Sequence, residues 1–109
     1  MKSSNVLIFF GLSISALALA AAGLAPAVVS QSNKMFSVAN LQVKIGQKII
    51  FKNDDNVPHN IYSLVNGSKI DAGLKKPGES AEISFDKSGN FRVGCAIHPK
   101  MKLDVEVTN

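Results

Sequence analysis

A chain of 109 residues has room for one domain. The net charge of +4 is too small and too evenly spread for a nucleic-acid-binding surface. With one cysteine in the whole chain, an intramolecular disulfide framework is excluded, and that unpaired residue needs its own explanation.

The N-terminus departs from the rest. Lys2 supplies a positive start, Val6 to Ala22 is apolar or small throughout, and Ala25-Pro26-Ala27 places small residues where a signal peptidase reads. This order predicts a secretory signal peptide over residues 1–27 and a domain over residues 28–109, in the periplasm or otherwise exported. Ala20-Ala21-Ala22 offers a second cleavage point. Retention as an anchor is the alternative, since the apolar run approaches the roughly 18 residues that can cross a bilayer. The segment holds no cysteine for a lipid.

Residues 28–33 read as a short polar leader. From Met35 the pattern has period two. Leu41, Val43 and Ile45 alternate with Gln42, Lys44 and Gly46, then Ile49, Ile50 and Phe51 run into a loop at Asn53-Asp54-Asp55-Asn56. Ile61, Tyr62, Leu64 and Val65 form another β-rich run, closed by the turn signal Asn66-Gly67-Ser68. Ala81, Ile83 and Phe85 alternate with polar residues, Ser88-Gly89-Asn90 turns, and Phe91, Val93 and Cys95 share one strand face. Leu103, Val105 and Val107 close the chain in the same alternation. Short strands punctuated by turns, with no helical stripe, predict an all-β sandwich or barrel of about seven or eight strands.

Four side chains carry chemistry. Cys95, His98 and Met101 lie at three-residue intervals in Cys95-Ala96-Ile97-His98-Pro99-Lys100-Met101, and His59 precedes them in Val57-Pro58-His59-Asn60. Singly, a cysteine at a strand end, a histidine beside a proline and a methionine are packing or surface residues. Together they are the entire His and Cys complement of the chain. One thiolate, two imidazoles and a weak thioether form the ligand set of blue-copper electron-transfer sites. Zinc could occupy such a site, but structural zinc usually takes more Cys or His and no Met. Three strong ligands and one weak one leave no position for substrate, so the expectation is a carrier and not an enzyme.

This order of motifs resembles the cupredoxins, the small type 1 copper proteins, and within them the plastocyanin, pseudoazurin and amicyanin group. Leu41 to Asn53 looks like the family's strand, turn and strand before the first ligand. Pro58-His59-Asn60 looks like its first-histidine motif, and Gly89 to Cys95 like its strand into the thiolate. Cys-x2-His-x2-Met is similar to the short amicyanin-type ligand loop. The resemblance implies a Greek-key β-sandwich holding one copper ion, with His59, Cys95 and His98 as strong ligands and Met101 as the axial one. It implies that Asn60 ties the two ligand loops by hydrogen bonding, and that His98 passes the electron through an apolar patch. Here that patch comprises Val57, Pro58, Ile97 and Pro99, with Lys100 and Lys102 nearby. Ile97, where many relatives have proline, and Gly94, where a larger residue is common, depart from the pattern.

The expected function is single-electron transfer between transient protein redox partners by a monomer whose mature form has no membrane span. A copper chaperone or store is the alternative, although such proteins often use Met-rich or His-rich runs and this chain has none.

Overall fold

A computed structural model describes residues 23–63 and 70–109. These form nine strands: β1 Ala27–Ser32, β2 Met35–Phe36, β3 Asn40–Lys44, β4 Ile49–Asn53, β5 His59–Ser63, β6 Asp71–Lys75, β7 Ser80–Ile83, β8 Gly89–Gly94 and β9 Lys102–Thr108. One sheet has the order β2-β1-β4-β7 and the other β3-β9-β8-β5-β6. The all-β sandwich expected from the alternation is therefore present.

The core lies between the two sheets. Val29, Ile49, Phe51, Ala81 and Ile83 from the first sheet are buried with Val43, Ile61, Val93, Leu103, Val105 and Val107 from the second. Strict alternation makes this possible, because successive side chains of a strand point to opposite faces. β9 shows it cleanly, with Leu103, Val105 and Val107 buried and Lys102, Asp104 and Glu106 exposed. Each fully buried aliphatic or aromatic side chain contributes about 1.5–3 kcal/mol. Phe36 meets Phe51 edge-on at 5.8 Å, and Phe85 stacks on Phe91 at 4.5 Å.

Three elements differ from expectation. The supposed leader at residues 28–33 is mostly strand β1, which starts at Ala27 and pairs in parallel with β4. Its alternation is hidden because the second inward residue, after Val29, is polar: Gln31 is only 1% exposed. β6 had no signal, since Asp71-Ala72-Gly73-Leu74-Lys75 buries none of its residues fully. Phe85 lies beyond the end of β7 yet is buried. Leu64, Val65 and the expected turn Asn66-Gly67-Ser68 lie outside the described residues, as do residues 1–22 of the signal peptide expected over residues 1–27.

The loops that matter sit where β5 and β8 separate. The two strands pair only at Tyr62↔Gly94 and Ser63↔Val93. Beyond that point His59 and Asn60 diverge from Cys95 and Ala96, and the ladder opens into a cleft. No helix among the described residues is long and apolar enough to cross a membrane.

Candidate metal centre

His59 is the first residue of β5, so strand pairing with Lys75 fixes its backbone on one side. Cys95 follows β8 directly, in phase with Val93, and is 1% exposed. After Cys95 the chain turns back on itself, with the Met101 N–H donating to the His98 carbonyl at 2.9 Å. That turn buries Met101, at 2% exposure, on the way into β9, and leaves His98 half-buried at the surface.

The result is a tight group of donor atoms. Cys95 Sγ lies 3.7 Å from His59 Nδ1 and 3.8 Å from His98 Nδ1, and the two Nδ1 atoms are 3.1 Å apart. The point equidistant from these three atoms is about 2.1 Å from each, close to ordinary metal–nitrogen and metal–sulfur bond lengths. The triangle therefore fits one ion of the first transition series. A thiolate with two imidazoles, and a thioether buried beside them, is a set suited to copper. The group His59, Cys95 and His98 could hold the metal, two of the three being buried.

Asn60 closes the cleft. Its Oδ1 accepts the Ala96 N–H at 2.6 Å, and its own N–H points to Cys95 Sγ at 3.4 Å. The expectation that Asn60 ties the ligand loops is met by this geometry.

The loop before His59 is built on Asn53, which is 1% exposed. Its Nδ2 donates to the carbonyls of Val57 and Lys75 at 2.9 and 3.1 Å, and its Oδ1 accepts the Asp55 N–H at 3.0 Å. Asp55 Oδ2 in turn lies 2.9 Å from His59 Nε2 and accepts the Lys34 N–H at 2.8 Å. These contacts hold the Asp55 carboxyl well below its usual range, at about 2, with the His59 hydrogen bond the largest cause and the Lys34 and Asn56 N–H groups adding to it. Asp55 read only as a loop marker in the sequence; its sole signal was its place four residues before a histidine.

Lys34 belongs to the two-residue turn Asn33-Lys34 between β1 and β2, where both φ angles are positive, at 53° and 57°. That is the turn expected of a tight hairpin. The hairpin reaches the metal end of the molecule. Asn33, Lys34 and Met35 line a groove of about 560 Å³ together with Ile97, His98, Pro99 and Lys100. Met35 and Ile97 are 65% and 47% exposed. The apolar surface beside His98 thus runs towards Met35 in addition to Ile97 and Pro99, while Val57 and Pro58 do not line this groove.

Comparison with known proteins agrees with the geometry. Residues 25–108 match the model of the copper binding proteins, plastocyanin/azurin family. Plastocyanin of Ginkgo biloba is 34% identical over 80 residues, covering 62% of this chain and 80% of that protein. Amicyanin of Paracoccus denitrificans is 30% identical over 84 residues, covering 73% of this chain and 63% of that one. Among solved structures, a purple cupredoxin from Nitrosopumilus maritimus superposes with a TM-score of 0.66 at 29% identity, covering 75% of this chain and 99% of that one. The matched segment takes in every strand, the donor triangle and Met101, and the chain belongs to the plastocyanin/azurin family of copper-binding proteins.

Proposed function

We propose that this protein is a type 1 copper electron carrier, with His59, Cys95 and His98 as strong ligands and Met101 as the weak axial one. The observation that carries this reading is the triangle of Cys95 Sγ, His59 Nδ1 and His98 Nδ1, with sides of 3.1 to 3.8 Å. Copper bound there supplies a one-electron redox couple. The protein's part is to hold the donors still. β5, β8 and β9 fix three of the ligand backbones, and Asn60 locks the two loops together. A site already shaped before metal arrives changes little between oxidation states, which keeps reorganisation small.

His98 is the exit for the electron, because it alone of the three strong donors is not fully buried. Met35, Ile97 and Pro99 give a partner an apolar landing, and Lys34 and Lys100 bias the encounter towards an acidic one. Contacts of this kind are small and short-lived. The carrier acts outside the cytoplasm after removal of the apolar leader. Cleavage after Ala22 suits the fold better than cleavage after Ala27, since the Ala27 N–H donates to Lys48 O at 2.9 Å and the Ala25 carbonyl accepts from Gln47 Nε2 at 2.9 Å.

The test is to load the leaderless chain with Cu(II) and record visible absorption and electron paramagnetic resonance. An intense thiolate-to-copper band with unusually small copper hyperfine splitting is expected. A pale, ordinary Cu(II) spectrum would overturn the ligand assignment and the carrier reading with it.

A further inference from the structure

Among the described residues, the acidic side chain in contact with the donor triangle is Asp55, and it belongs to no ligand motif. Its Oδ2 takes two hydrogen bonds, from His59 Nε2 at 2.9 Å and from the Lys34 backbone N–H at 2.8 Å. Its Oδ1 accepts the Asn56 N–H at 2.9 Å, and its own N–H is held by the buried Asn53 side chain. The carboxylate is thus fixed from three directions, and its side chain is only 9% exposed against a fully buried His59.

We propose that Asp55 is a positioning residue that selects the metal-binding tautomer of His59 and strengthens His59 as a donor to Cu(II). This deepens the copper reading above and rests on it. An ionised carboxylate can only accept, so the imidazole must donate its Nε2–H to Asp55. The lone pair is then on Nδ1, the atom that faces Cys95 Sγ and His98 Nδ1. The opposite tautomer would put a proton into the triangle and leave Asp55 facing a lone pair. A carboxylate behind a ligating histidine also fixes the ring and strengthens it as a donor, and its negative charge favours the more highly charged ion. Both effects act more strongly on Cu(II) than on Cu(I), so Asp55 lowers the reduction potential.

The β1–β2 hairpin takes part through the Lys34 N–H. Without that second donor, Asp55 Oδ2 could swing towards solvent. Lys34, which donates that N–H, is itself held in an uncommon positive-φ conformation.

Two measurements test this. The first uses the metal-free protein and needs no variant: nitrogen-15 chemical shifts of His59 at roughly pH 8, where an ordinary imidazole is neutral. The expected result is a protonated Nε2 and a free Nδ1; a protonated Nδ1 would overturn the proposal. The second compares copper-loaded wild type with Asp55→Asn, with Asp55→Glu as the conservative control. Loss of the charge should weaken Cu(II) binding about 10-fold, at the low end for a partner of this kind. With Cu(I) affinity unchanged, that is a rise in potential of about 59 mV, partly reversed in Asp55→Glu. A residue that merely stiffened the loop would lower thermal stability and leave the potential alone, and that pattern would overturn the proposal while leaving the copper reading intact. A wild-type chain with no thiolate-to-copper band would overturn both.

Discussion

Asn60 Oδ1 lies 2.6 Å from the Ala96 backbone nitrogen, a bond between the two loops that carry His59 and Cys95. It forms just past the Tyr62↔Gly94 pair, where the backbone ladder between β5 and β8 ends. A side chain replaces the rung that the diverging strands can no longer make. Asn60→Ala should therefore lower the stability of the metal-free protein by about 1 kcal/mol, the net value of an ordinary hydrogen bond. Chemical denaturation measures this, and an unchanged midpoint would show the bond to be idle.

Met101 is buried to 2% exposure between the ligand turn and β9. Met101→Leu conserves volume and should cost less than about 1.5 kcal/mol in the metal-free protein. Loss of the thioether proposed as axial ligand should nevertheless raise the reduction potential, since the axial ligand tunes blue-copper potentials. Voltammetry of the variant beside wild type decides it. A potential within error of wild type would remove Met101 from the ligand set.

Acid stability should carry the signature of Asp55. Its carboxyl is shifted from 3.8 down to about 2 by the His59 hydrogen bond first and then by backbone N–H groups. The unfolded chain takes up the proton first as pH falls, so the stabilisation is complete above pH 3.8 and disappears between 3.8 and about 2. Metal-free Asp55→Asn should lose this part of the pH dependence in an acid titration followed by circular dichroism. Identical profiles would mean that the carboxylate is not tied down in solution.

Gln31 Nε2 is a buried side-chain nitrogen with no hydrogen-bond partner among the described residues. Removing an unsatisfied buried donor recovers its desolvation cost, about 1–3 kcal/mol before packing changes are counted. Gln31→Met keeps the length of the side chain and should raise the thermal midpoint. A fall in the midpoint would show that the amide is satisfied in solution.

Lys34 and Lys100 flank the groove beside His98. Lys100→Glu should slow reduction of the anionic oxidant hexacyanoferrate(III) severalfold at low ionic strength, with the difference closing towards 0.1 M salt, where the screening length is about 10 Å. Stopped-flow rates at several salt concentrations test it. A salt dependence equal to that of wild type would move the encounter surface away from Lys100.

Much of this was legible in the sequence, for identifiable reasons. Leu103, Val105 and Val107 alternate without interruption, so β9 could be read directly. Cys95, His98 and Met101 are close in sequence, and their spacing alone predicts that they can meet at one turn. His59 could be picked out because it was the only other histidine. What stayed hidden depends on contacts between distant segments. β1 carries one inward apolar residue and one inward glutamine, so its pattern resembles a leader until β4 pairs with it. Asp55 looks like any loop aspartate until the hairpin tip at Lys34 arrives 21 positions away in sequence. Met35 is a strand residue with no reason to be near His98 except the curl of that same hairpin.

The place of β9 has a consequence in time. It lies between β3 and β8 in its sheet, so the strand made last fills the middle and not the edge. Until residues 102–108 are in place, β3 has no partner in that sheet and the turn from Cys95 to Met101 has no far anchor. The thiol therefore stays uncovered through the earlier stages of folding, and becomes enclosed only when β9 slots home. Metal capture is in this way postponed until the strand that follows the ligand turn has docked.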